Sequence, residues 1–182
     1  MQPWKMPSRD EYYMGIAVAV REKANCLGSR VGAVIVRDNR VISTGYNGVP
    51  EGMQNCLDGG CHRCSNTAIY KSGEAYDLCI CVHAEQNALI TAARFGIAVF
   101  GATLYTTMKP CFNCAKEILQ AGIVQVCYMH EWRPGDDTKR AEHEKIIGRI
   151  KLIRKIDYPD PRPEWIRAIS LPRTGDGADV PM

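Results

Sequence analysis

No stretch of this sequence is apolar over the roughly 20 residues that a membrane helix needs. The opening Met1-Gln-Pro-Trp-Lys also lacks the pattern of a secretory signal. The chain is therefore expected in the cytoplasm, with no membrane partner. A lopsided charge is missing too: a formal net charge of +3 over 182 residues is slight for a nucleic-acid binder, although a local basic patch would not show in it. Trp and Phe are scarce, at three each, which argues against stacking along a polymer. There is no internal repeat, and the length suits one domain with a real core. Cysteine alone is abundant, with nine copies. The odd number and the Cys/His spacing point to metal ligation in a reducing compartment, not to a disulfide framework.

The chemistry concentrates in His83-Ala84-Glu85 and Pro110-Cys111-Phe112-Asn113-Cys114. An imidazole and two thiolates are three zinc ligands, and a tetrahedral ion then keeps a fourth position for water, as catalytic zinc sites do. Zinc lowers the pKa of such a water to about 7. Residues 85–95 read as a helix closed by Gly96, and 111–121 as another closed by Gly122, with Pro110 near its first turn. Both ligand groups would sit at helix N-termini, whose dipoles favour thiolate. Glu85 lies two residues past His83, about 200° around a helix, where it can serve the water and not the ion.

Along the rest of the chain, Ser8-Arg-Asp-Glu11 matches a capping box, and apolar residues at helical spacing predict a helix over 9–25. Residues 31–36 and 41–46, joined by Arg37-Asp-Asn-Arg40, read as a β-hairpin. Strands are expected near 102–108 and 123–129, a helix over 136–150 and an edge strand over 151–156. Alternation of strands and helices from residue 102 implies parallel crossovers on a sheet that begins with an antiparallel hairpin. Residues 53–82 form a polar insert without periodicity, studded with Cys56, Cys61, Cys64, Cys79 and Cys81. Such a loop needs a staple, and a closed zinc site would contribute folding energy outright. Residues 1–8 read as a lead-in. Residues 157–182 read as a Pro/Gly-rich tail, lying over the surface or disordered.

The ordered pair H-x-E and P-C-x-x-C is the pattern of zinc nucleobase deaminases. With Arg30-Val-Gly-Ala-Val-Ile-Val, Gly45-Tyr-Asn-Gly, His83-Ala-Glu-Gln-Asn-Ala and Gln120-Ala-Gly-Ile, the chain resembles the cytidine and deoxycytidylate deaminase family over about residues 12–156. The Gly45-Tyr-Asn-Gly loop and the long insert favour its deoxycytidylate branch. The resemblance implies a three-layer α/β/α, cytidine-deaminase-like fold on a five-stranded mixed sheet, filling residues 9–156. It implies a catalytic zinc on His83, Cys111 and Cys114, with Glu85 shuttling protons to the ring N3 and the leaving amine. Substrate contacts would fall on Asn47, Ala84, Arg94 and Trp132. Asn47 also suits a plain turn, Arg94 a helix C-terminus, and Trp132 a lid or a subunit contact. A second, structural zinc is implied on Cys26, Cys56, Cys61 and a fourth thiol: Cys81, with Cys64 or Cys79 as substitutes.

The resulting expectation is deamination of dCMP to dUMP and ammonia on the route to dTTP, by a homo-oligomer (a hexamer in this branch) regulated by dCTP and dTTP. The competing readings are the same chemistry on another cytosine nucleotide or a nucleic acid, and a zinc-stabilised interaction module without activity. A purely structural site has no use for Glu85, which weighs against the last.

Overall fold

The computed structural model describes residues 5–166. Helix α1 spans Arg9–Arg21. The capping box forms as expected: Ser8 Oγ accepts from the Glu11 amide at 3.2 Å, and Glu11 Oε2 accepts from the Ser8 amide at 2.6 Å. The helix ends short of the expected residue 25. The Asn25 amide donates to the Asn47 carbonyl, and Cys26 turns away into a cluster of thiols. Tertiary partners there outweigh the helical pattern.

Strands β1 (Gly32–Arg37) and β2 (Arg40–Tyr46) make the hairpin. Asp38 and Asn39 both take positive φ, 51° and 58°, as a two-residue turn matched to strand twist requires. Beyond the insert come α3 (Ala84–Arg94), β3 (Thr103–Met108), α4 (Phe112–Gln120), β4 (Gln125–His130), α5 (Asp137–Ile147) and β5 (Leu152–Lys155). One helical turn in the insert, His62–Ser65, is α2. The sheet order is β2-β1-β3-β4-β5. β1 is antiparallel to both neighbours, and β3, β4 and β5 run parallel. This is the expected five-stranded mixed sheet.

Strand alternation sorts the core into two layers. Ala33, Ile35, Leu104 and Val126 face α3, α4 and α5, while Val34, Val36, Tyr105 and Cys127 face α1. Cys127 is fully buried there. Close approach sets where α3 begins. A Cβ on Gly45 would stand 2.2 Å from the Ala84 carbonyl and 2.4 Å from the Ala88 nitrogen. Only a glycine on β2 lets the first turns of α3, and the residues that precede them, lie this near the sheet.

The insert is built differently. Between residues 53 and 82 the buried side chains are Cys56, Cys61, Arg63, Cys64 and Cys81. Its interior is sulfur and one guanidinium. The tail is partly anchored. Asp160 receives both terminal nitrogens of fully buried Arg21, at 3.0 and 2.5 Å. The Trp165 ring lies 4.4 Å from the Arg30 guanidinium. The remainder of the predicted tail, and residues 1–4 of the lead-in, lie outside the described residues. Among the described residues no helix is long and apolar enough to cross a membrane.

Candidate active site

His83 is the N-cap of α3 and Cys111 the N-cap of α4. Both ligands therefore sit at helix N-termini, as the sequence predicts, and each helix starts within one residue of the expected 85 and 111. Pro110 lies just before the cap. The His83 Nδ1 stands 3.3 Å from each of the Cys111 and Cys114 sulfurs, which are 3.5 Å apart. Ligands on one tetrahedral zinc should be separated by about 3.6 Å (N to S) and 3.8 Å (S to S), from bonds of about 2.1 and 2.3 Å. The donor types and spacing fit zinc.

Neighbouring contacts hold this arrangement. The His83 amide donates to Gln86 Oε1 at 3.0 Å, and Gln86 Nε2 donates to Glu117 Oε1 at 2.8 Å, joining α3 to α4. His143 on α5 is fully buried, and its Nε2 stands 3.0 Å from the Pro110 carbonyl, just ahead of Cys111. Burial lowers the His143 pKa, favouring the neutral ring, and because the Pro110 carbonyl can only accept, this contact is an N–H donation from Nε2. The hydrogen-bonding contact with Cys114 holds the Cys111 thiol below its ordinary range, toward thiolate.

Glu85 is buried in the first turn of α3, and Thr106 Oγ1 on β3 donates to its Oε1 at 3.2 Å. Burial raises its pKa, so it favours holding a proton more than an exposed carboxyl does. Glu85, His83, Ala84 and Cys111 form part of the wall of a cavity of about 470 Å³. The chain belongs to the cytidine and deoxycytidylate deaminase family. The model of that family's zinc-binding region matches residues 7–130.

Among relatives, the deoxycytidylate deaminase of Saccharomyces cerevisiae is 42% identical over 140 residues, covering 76% of this chain and 43% of the yeast protein. That of Mycobacterium phage D29 is 43% identical over 130 residues, covering 69% and 97%. The chain thus spans under half the length of the yeast relative and nearly all of the phage one. The crystal structure of the cyanophage S-TIM5 dCMP deaminase in complex with dCMP and dUMP superposes with a TM-score of 0.63 at 27% identity, covering 84% of this chain and all of that one.

Deaminase-family expectations for the remaining residues meet mixed outcomes. Asn47 and Trp132 line the cavity. The Asn47 amide is already used on backbone: Oδ1 accepts from the Val31 amide at 2.7 Å and Nδ2 donates to the Ser29 carbonyl at 2.8 Å. An amide retains one further donor and acceptor after this. Trp132 is buried, donating from Nε1 to Ser72 Oγ at 3.3 Å. Arg94 is not brought to the cavity. It is exposed in the last turn of α3, about 15 Å along the axis from the ligand end at 1.5 Å per residue.

Lys71 and Tyr76, which no sequence motif marks, also line the cavity. Tyr76 packs edge-on against His83 at 5.3 Å and stacks on Trp132 at 6.4 Å. Burial pushes its phenol up to about 12, keeping it neutral. Both residues sit in the insert, where no periodic pattern marks an inward face.

Cysteines of the insert converge, but not in the expected set. Cys26, Cys56, Cys64 and Cys81 bring their sulfurs together, and Cys61 instead joins Cys64, Cys79 and Cys81. Cys64 therefore takes the place expected for Cys61. The single turn of α2 carries Cys64 three residues on, to the side that faces Cys26 at 3.6 Å.

Proposed function

We propose that the chain catalyses hydrolytic, zinc-dependent deamination of dCMP to dUMP and ammonia, serving dTTP precursor synthesis. The observation that carries this reading is the buried Glu85 carboxyl beside three converging zinc-type ligands, with Glu85, His83 and Cys111 lining one cavity. Zinc held by His83, Cys111 and Cys114 would lower the pKa of a water to about 7, making a nucleophile available at neutral pH. Glu85 takes the proton from that water and passes it to N3 of the ring. As the water oxygen bonds to C4, Glu85 is left to take the remaining proton of the new C4 hydroxyl and deliver it to the amine, so that the C4–N bond breaks, ammonia leaves and the C4 carbonyl of dUMP remains. The Thr106 hydroxyl orients the carboxyl throughout. A non-catalytic module would gain nothing from a buried carboxyl that costs desolvation.

Substrate contacts follow from the lining. Trp132 and Tyr76 supply apolar faces for the base, the free N–H and lone pair of Asn47 meet the sugar, and the Ala84 backbone meets the ring. Lys71, on the rim, meets the 5′-phosphate in place of Arg94. Zinc bound by Cys26, Cys56, Cys64 and Cys81 would close the insert. Exposed Ile90, Phe95 and Phe100 support a homo-oligomer. Regulation by dCTP and dTTP would act through residues 47–50, since Gly48 bridges to Val82 beside His83.

Ammonia release over cytidine, deoxycytidine and their mono-, di- and triphosphates tests the substrate. Preference for dCMP is expected, and equal turnover of nucleoside and nucleotide would overturn it. Glu85→Gln keeps the shape and the acceptor for Thr106 but has no acidic proton. It should retain the zinc and lose turnover by about 10²–10⁴. Near-normal turnover in the zinc-loaded variant would remove Glu85 from the mechanism.

A further inference from the structure

The two groups of four cysteines overlap. Cys26, Cys56, Cys64 and Cys81 form one, Cys61, Cys64, Cys79 and Cys81 the other, and in each the sulfurs lie within 4.8 Å of one another. Cys64 and Cys81 belong to both. We propose that these six thiols hold two metal ions, each within four sulfurs, with Cys64 and Cys81 as bridging thiolates. This extends the closed thiolate site proposed above and rests on that reading, not on the identity of the substrate.

Sulfur spacing supports it. Cys26 to Cys64 is 3.6 Å, Cys64 to Cys79 is 3.6 Å, Cys61 to Cys79 is 3.8 Å and Cys64 to Cys81 is 4.0 Å. The edge of a ZnS₄ tetrahedron is about 3.8 Å for bonds of about 2.3 Å. Edges of this length occur in both groups, so Cys61 and Cys79 are placed as the other four are. They are not spare thiols packed at random beside a finished site. Six sulfurs so arranged describe two tetrahedra sharing the edge from Cys64 to Cys81.

Charge balance favours the pair as well. One divalent ion with four thiolates, beside two neutral thiols, carries a net charge of −2. Two such ions with six thiolates also carry −2, since the second ion displaces only the two protons of Cys61 and Cys79. Completing the cluster adds no net charge to a buried place. A cation is at hand: a Cβ on Gly28 would stand 3.4 Å from the Cys26 sulfur and 3.8 Å from Arg63 Nη1. Arg63 is itself buried, its guanidinium fixed on the Lys71 and Glu74 carbonyls at 2.6 and 3.2 Å. The Leu27 amide donates to the Cys56 sulfur at 3.3 Å.

The folding need is also larger than one ion would meet. The first group ties Cys26 to residues 56, 64 and 81. The second fixes Cys61 and Cys79, which bracket the segment carrying Lys71 and Tyr76. Cys81 is two residues from His83, so the cluster and the first catalytic ligand share one short stretch of chain, paired to Gly48 through Val82. Cys26, Cys64, Cys79 and Cys81 themselves line the cavity.

Metal analysis of the purified wild-type chain, after exhaustive dialysis against weak chelator, is expected to give three zinc ions per chain. Replacement by ¹¹³Cd should give one signal from the nitrogen-containing site and two from all-sulfur sites, the latter split by coupling through shared thiolates. Cys79→Ser should lose one metal and retain two. Two zincs per chain, with Cys61 and Cys79 alkylated by iodoacetamide in the native protein, would overturn the pair while preserving the single closed site. One zinc per chain would overturn both, and a Cys61–Cys79 or Cys64–Cys79 disulfide in protein purified under reductant would also overturn the pair. None of these outcomes bears on ammonia release from dCMP, which tests the function separately. The wild-type counts and spectra stand even where a variant fails to fold.

Discussion

Asp160→Asn should destabilise the protein by about 3 kcal/mol, although the residue lies in a segment with no regular secondary structure. Its carboxylate meets Arg21 through both terminal nitrogens, accepts from the Arg162 amide at 2.8 Å and stands 2.5 Å from His130 Nε2. Burial alone would raise its pKa, but the hydrogen bonds from Arg21, the Arg162 amide and His130 draw it down to about 2. Against an unfolded value of about 3.9, that difference corresponds to about 2.6 kcal/mol of stability at neutral pH. Leaving a buried charge without its partner costs about 3–5 kcal/mol by comparison with other proteins, and Arg21 is fully buried.

For a chain of this size about 3 kcal/mol lowers Tm by roughly 6–12 °C. Because the folded pKa lies below the unfolded one, the contribution is complete above about pH 4 and fades as pH falls toward 2. Thermal unfolding of wild type and variant, followed in parallel from pH 7 downward at equal zinc, reads both effects. The difference between the two proteins carries the test, because acid displaces thiolate-bound metal from both alike. An unchanged Tm at pH 7, or a difference that grows below pH 4, would refute the reasoning.

Lys71→Ala should raise KM for dCMP about tenfold, the worth of a charge-assisted hydrogen bond, and leave KM for deoxycytidine unchanged. Equal loss on both substrates would mean that Lys71 supports the cavity and does not hold phosphate. Gly45→Ala forces a methyl against the α3 backbone and should cost about 1–3 kcal/mol. It should also reduce catalytic zinc occupancy, because His83 rides on the displaced helix. Full occupancy with wild-type Tm would show that the approach of α3 to β2 is not needed.

Much of this molecule was legible without coordinates because its signals are local. Ser8 and Glu11 cap α1 because they are three apart. Asp38-Asn39 turns the hairpin because both residues tolerate positive φ. Cys111 and Cys114 share a helix start, and Glu85 follows His83 by two. Each of these depends on a few consecutive residues and on the geometry of one helix or strand, so spacing along the chain is enough to read them.

What tertiary structure decided is whatever depends on the path of segments that lack a period. The insert has no repeating apolar pattern, so nothing in it announced that Cys64 would replace Cys61 beside Cys26, or that Lys71 and Tyr76 would face the cavity. Helix α3 reads correctly as a helix, but its length carries Arg94 away from the ligand end. Only the fold shows which end of a helix meets a cavity. The tail reads as proline-rich surface chain, yet Asp160 closes on Arg21, 139 residues away in sequence. By itself the sequence determined the main elements outside the insert and the ligand types, because backbone geometry is local. The partners of Arg21, the pairing of the thiols and the lining of the cavity waited on the fold, because burial is a property of the whole chain.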